Sequence, residues 1–287
     1  MVNSSQGNDA LLPTLLMEFR PLFEGSLTGQ RKLVFLGTGT SSGVPMLGCN
    51  CEVCCSTDPK NQRTRPSVLL RFPDGDLLID TTPEMRLQLL RERVGFVQAI
   101  AYTHSHVDHL YGLDDARPFP KLLGKPVPVY CEEAVETDIR RVFSYAFQES
   151  SHRFPPGGLP QLEFYRIGPG QTFSLLGQTI LPIRLEHGRF QVLGFRVGNL
   201  AYCTDVSKIP DESWPLLEGL KVLVLDALRH EPHPTHFNLE QALEVVKRLR
   251  PERTYFTHLS HQFDHNVTES VLPPGVRLAY DGLTLEF

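Results

Sequence analysis

Thr103-His104-Ser105-His106-Val107-Asp108-His109 follows directly on the apolar run Ala99 to Tyr102. The six positions from 104 to 109 hold three histidines and one aspartate, outside any helical register. Imidazole and carboxylate groups are ligands that zinc, manganese and iron accept. Gathering four of them at the end of a strand costs free energy unless a cation neutralises and orders them. A lone histidine is more often a satisfied core or surface residue than a ligand. Here the density of the string, and its place just after a strand, favour a metal centre.

Outward from this stretch, short apolar runs of strand length recur at Leu33 to Leu36, Val68 to Phe72, Leu77 to Ile79 and Ala99 to Tyr102. Pro73-Asp74-Gly75 between the second and third reads as a hairpin in which glycine supplies positive φ. The later runs are Ile180 to Leu185, Gly194 to Val197, Leu200 to Cys203 and Val222 to Leu225, with Gly198-Asn199 marking a second hairpin. Apolar residues at three- and four-residue steps predict helices over Pro83 to Arg93, Glu132 to Phe147 and Leu239 to Leu249. Many short strands, hairpins in both halves and interspersed helices imply two packed mixed sheets with helices outside. Ser151 to Pro160, rich in polar residues, proline and glycine, reads as a long loop or flap, with Arg189 and Phe190 at the same opening.

Six cysteines are present, and Cys49, Cys51, Cys54 and Cys55 crowd into seven positions. Neighbours so close cannot all form ordinary disulfides. Reduced thiolates holding a metal are the better reading, and they imply a reducing compartment, by default the cytoplasm. Three thiolates want a fourth ligand, for which Cys55 and His261 are the candidates. The glycine-rich Gly37 to Gly43 is not a phosphate-binding P-loop, since it lacks the lysine and hydroxyl pair and runs into the cysteines rather than a helix.

The string at 104 to 109 matches the HxHxDH motif of the metallo-β-lactamase superfamily, and His187, Asp205 and His258 follow in order, each after a strand-length run. The resemblance implies an αββα sandwich over residues 33–287, with residues 1–32 as an N-terminal extension. It implies that His104, His106 and His187 hold one divalent ion, that Asp108, His109 and His258 hold a second, and that Asp205 bridges them with a hydroxide between. Zinc and manganese are the expected ions, and Asp80 is expected to orient a ligand histidine from behind. The loop Cys49-Asn50-Cys51-Glu52-Val53-Cys54 with Thr257-His258-Leu259-Ser260-His261 is similar to the phosphoribosyl cyclic phosphate phosphodiesterase branch. That likeness implies a structural zinc on Cys49, Cys51, Cys54 and His261, leaving Cys55 spare. It also makes His236 the general acid, so that His236 and Asp108 are the side chains expected to act on substrate.

Length and composition agree: 287 residues with 41% hydrophobic and 21% charged side chains suit one globular enzyme domain. A formal net charge of −5 gives no drive toward nucleic acid or an anionic membrane. No run reaches the roughly 20 apolar residues of a membrane span, and Leu11 to Met17, followed by Glu18 and Arg20, makes a poor secretory signal. The expected function is a two-metal phosphodiesterase acting on a small or cyclic phosphate ester. The alternatives are a tRNA 3′-processing endonuclease like ribonuclease Z, and a non-catalytic accessory protein like that of pyrroloquinoline quinone synthesis. The expected partner is a small-molecule phosphodiester. The oligomeric state stays open, a homodimer included.

Overall fold

The computed structural model describes residues 30–148 and 157–287. Among these, the strands in chain order are β1 (Lys32–Gly37), β2 (Ser67–Phe72), β3 (Gly75–Ile79), β4 (Ala99–Ala101), β5 (Val127–Cys131), β6 (Leu162–Arg166), β7 (Phe173–Leu175), β8 (Gln178–His187), β9 (Phe190–Val197), β10 (Leu200–Cys203), β11 (Val222–Asp226), β12 (Arg253–Thr257), β13 (Val276–Leu278) and β14 (Thr284–Glu286). The α-helices are α1 (Met85–Arg91), α2 (Val107–Leu110), α3 (Phe119–Leu123), α4 (Glu133–Val142), α5 (Leu239–Leu249) and α6 (His265–Glu269).

The strands form two seven-stranded sheets, ordered β14-β1-β2-β3-β4-β5-β6 and β13-β12-β11-β10-β9-β8-β7. The first is antiparallel from β14 to β3 and parallel from β3 to β6. The second is parallel from β13 to β10 and antiparallel from β10 to β7. Strand side chains alternate between faces, so a strand buried on both sides reads as a continuous apolar run. In β1, Leu33 and Phe35 point between the sheets, against Phe195, Tyr202 and Val224 of the other sheet. Val34 and Leu36 point outward into a layer with Met85 and Leu89 of α1 and Ile139 of α4. On the far side, Cys203, Leu225 and Phe256 pack with Ala242 and Val245 of α5. The result is the expected αββα sandwich.

Both hairpins form as read from the sequence, β2 to β3 and β9 to β10. Two helices are shorter than the periodicity predicts. The first ends at Arg91 rather than Arg93, which stands in the left-handed region at φ 55°. The second stops at Val142, where Phe143 (φ −103°, ψ 37°) leaves helical torsions and the pattern continues through a 3-10 turn, Ser144–Ala146. Apolar periodicity cannot tell such a turn from more α-helix. Of the expected loop at 151–160, residues 151–156 lie outside the described ones, as does the expected extension up to residue 29. Among the described residues no helix is long and apolar enough to cross a membrane.

Candidate metal centre

One edge of the sandwich gathers the carboxyl ends of β3, β4, β8, β10, β11 and β12, the end of an α/β sheet where ligands are ordinarily bound. Asp80 follows β3, His104 follows β4, His187 ends β8, Asp205 follows β10, Asp226 ends β11 and His258 follows β12. Leu193 N donates to Thr103 O at 3.0 Å, tying the second sheet to the first beside the HxHxDH string. Asp80, Asp205 and His258 have φ of 65°, 56° and 61°, a left-handed backbone that costs free energy away from glycine and tends to cluster at functional sites.

The sequence-predicted residues fall into two adjoining groups. Ligand atoms of His104, His106 and His187 lie within 4.8 Å of one another, and so do those of Asp108, His109, Asp205 and His258. Asp205 Oδ2 is 3.2 Å from His109 Nε2 and Asp205 Oδ1 is 3.3 Å from His258 Nε2. Asp108 Oδ2 is 3.4 Å and 3.6 Å from the same two nitrogens. Asp205 also lies within that reach of His187 and His236, so it stands where the two groups meet. Ligands about 2.1 Å from a tetrahedral ion lie about 3.4 Å apart, which these separations match.

Hydrogen bonds from behind fix the rings. Asp80 Oδ2 takes His109 Nδ1 at 2.8 Å and Thr103 Oγ1 at 2.8 Å, while its Oδ1 takes Thr103 N at 2.9 Å. Thr103 Oγ1 is also 2.9 Å from His104 Nδ1. His187 Nδ1 donates to Thr235 O at 2.7 Å. These contacts turn the Nε2 atoms of His104, His109 and His187 forward; those of His104 and His109, and both ring nitrogens of His258, are buried without a hydrogen-bond partner. Each such orphan costs about 1–3 kcal/mol if nothing else binds it. Four carboxylates, Asp80, Asp108, Asp205 and Asp226, are buried here as well. Among the described residues their partners are histidines, hydroxyls and backbone N–H groups, with no lysine or arginine.

The electrostatics differ between the groups. Burial holds His104 well below the ordinary histidine value and also lowers His106 and His187, leaving neutral rings with free lone pairs. Burial lowers His109 too, but the carboxylates of Asp205, Asp108 and Asp80 outweigh it and carry the ring well above that value. His258 is pushed up to about 10 in the same way, chiefly by Asp205 against its burial. Divalent ions fit the donor set: they would satisfy the orphaned nitrogens and replace the missing positive charge.

His236 stands between the groups, its ring 4.5 Å from that of His187 and 4.6 Å from that of His258. Its Nδ1 is 2.7 Å from Asp226 Oδ2, which also accepts Val206 N at 2.8 Å. Sequence reasoning did not single out Asp226. The available signal was an acid closing the apolar run Val222 to Leu225, the same signature that marks Asp80 after Ile79. At the rim, Phe190 is 47% exposed and stands edge-on to His106 at 5.3 Å, with the Arg189 guanidinium 5.2 Å over its ring.

The cysteine loop forms a second cluster. Cys49, Cys51, Cys54 and His261 converge, with His261 Nδ1 3.4 Å from Cys49 Sγ and 3.3 Å from Cys51 Sγ. The His261 contact brings the Cys51 thiol down to about 6, whereas burial pushes Cys54 up to about 11. A divalent cation would make thiolates of all three. Cys55 is exposed and lies outside the cluster.

A model of the β-lactamase superfamily domain matches residues 76–259. An octanoyltransferase of Porphyromonas gingivalis is 35% identical over 255 residues, covering 88% of this chain and 51% of that protein. The chain thus spans about half the length of that curated relative. Coenzyme PQQ synthesis protein B of Methylorubrum extorquens is 29% identical over 306 residues, covering 88% of this chain and 99% of that protein. Among solved structures, a diphosphatase of the PhnP family is 44% identical, with a TM-score of 0.83 over 90% of this chain and 97% of that one. Sandwich, clustered strand ends and sequence likeness agree, and the chain belongs to the metallo-β-lactamase superfamily of hydrolases, on the branch that holds the PhnP family.

Proposed function

We propose that this chain hydrolyses a phosphoric ester or anhydride link in a small molecule, using a pair of divalent cations at the strand-end cluster. The observation that carries this reading is the convergence of His104, His106, His187, Asp108, His109, His258 and Asp205, with orphaned Nε2 atoms turned inward. His104, His106 and His187 would hold one ion, Asp108, His109 and His258 the other, and Asp205 both. Divalent ions held there would supply a water of lowered pKa and polarisation of the phosphoryl centre. Zinc, manganese and iron all suit these ligands.

The protein's own part is orientation and a proton. Asp80 locks the His109 ring through Nδ1. Asp226 accepts from His236 Nδ1, so in a ring that carries both protons Nε2 is the atom that would give its proton to the departing oxygen as the P–O bond breaks, leaving the neutral imidazole. The PhnP-family relative is named a diphosphatase, which extends the substrate class from the phosphodiesters suggested by sequence to diphosphates. The Cys49, Cys51, Cys54 and His261 cluster would hold a structural zinc, and its reduced thiols favour a cytoplasmic setting.

The test is elemental analysis of the purified protein, followed by assay on cyclic and linear phosphodiesters and on nucleoside diphosphate esters. Hydrolysis of at least one class, lost in His106→Ala, is the expected result. Full metal occupancy with no turnover across the panel would sink the enzyme reading and favour an accessory role like that of the PQQ synthesis relative.

A further inference from the structure

The segment between β1 and β2, residues 38–66, carries the cysteine cluster and wraps the turn that follows β12. That turn holds His258 and His261 three positions apart, so one short stretch of backbone serves both candidate metal sites. The wrap is close. Leu259 N donates to Thr38 O at 2.8 Å, and Thr40 N donates to Leu259 O at 3.1 Å. A Cβ added to Gly39 would come 2.7 Å from Arg63 O, so only glycine permits this crossing.

Arg63 lies at the centre of the wrap and is 1% exposed. Its Nη1 donates to Ser260 O at 3.1 Å. Its Nη2 donates to Phe263 O at 2.8 Å and to Asn61 Oδ1 at 3.1 Å. The same Asn61 Oδ1 accepts His265 N at 2.8 Å. On the other side, the Arg63 backbone pairs with Val44, its N donating to Val44 O at 2.7 Å. Two residues along, Met46 N donates to Cys54 Sγ at 3.3 Å. Arg63 thus joins the Val44 bridge beside the cysteine loop to the carbonyls either side of His261. A planar fork suits this bridging, and an ammonium cannot reproduce it. Burial draws Arg63 down to about 10, with Asp281, Asp264 and Asp58 holding it up, so it remains charged at neutral pH.

We propose that Arg63 is a positioning residue through which occupancy of the cysteine cluster sets the left-handed turn at His258, and thereby the cation affinity of the half formed by Asp108, His109, Asp205 and His258. The inference rests on the reading above that both clusters hold metal. The half formed by His104, His106 and His187 lies outside this linkage, because its ligands come from β4 and β8 and not from the wrapped turn.

The test uses the metal-loaded full chain and counts cations, not turnover. Titration with p-chloromercuribenzoate displaces the ion held by the thiolates, while circular dichroism follows the fold. Release of a second ion with the fold retained is the expected result. In Arg63→Lys, which leaves every ligand in place, a competing chelator should strip one strand-end ion at about ten-fold lower concentration than in the parent. Release of the thiolate-held ion alone overturns the proposal, as does parental chelator resistance in a folded Arg63→Lys. Loss of every ion together with the fold overturns it too, since the cluster is then a folding staple. A parent chain that binds no strand-end ions at all would instead sink the functional reading.

Discussion

The two candidate metal sites are assembled in opposite ways. The cysteine cluster takes three of its four ligands from residues 49–54 of one loop, and one from a distant turn. The strand-end cluster takes its ligands from the ends of β4, β8, β10 and β12 and from α2, so it exists only once both sheets have paired. Four ligands complete a tetrahedral shell and leave no place for substrate. On the function proposed above, the strand-end cluster would divide seven ligands between two ions, sharing Asp205, and would leave room for substrate beside His236. A loop-built site is therefore suited to holding a turn, and a sheet-built site to chemistry.

Four substitutions sharpen this contrast. His106→Ala removes a ligand from the half with no carboxylate of its own, and hydrolysis of the best substrate should fall by roughly 10³-fold or more, with one ion lost by elemental analysis. His236→Ala should leave metal content unchanged while kcat falls about 10²-fold for an alkoxide leaving group, and much less for p-nitrophenolate, which needs no proton. Equal losses for the two leaving groups would remove His236 from the acid role. Asp80→Asn should weaken metal binding by about 10-fold in chelator competition, through the freed His109 ring. Cys55→Ala should change neither metal content nor rate, lowering only the count of reactive thiols by one; loss of zinc in that variant would mean the cluster has been assigned the wrong thiols.

The same contrast explains what the sequence disclosed. His104 to His109 lie side by side, so their chemistry shows without any fold, and the cysteines do the same. His187, Asp205 and His258 were picked out through the family resemblance, each standing after an apolar run long enough to be a strand. Asp226 escaped notice although it closes such a run, because its role depends on His236 lying across the site, a contact made by tertiary structure. Arg63 was invisible for the same reason. Its sequence neighbourhood is polar and reads as a surface loop, and only the wrap around Leu259 buries it. The strands β5, β6, β7, β13 and β14 were not read either, and the last three are only three residues long.

The left-handed torsions at Asp80 and Asp205 bear on the order of events. Hydrogen bonds and sheet packing impose them, so the polypeptide adopts these bends during folding, before any ion arrives. Loading then asks little rearrangement of the backbone, unlike a zinc finger, which is unfolded until its ion binds. A chain stripped of metal should accordingly keep its two sheets and take up ions again quickly.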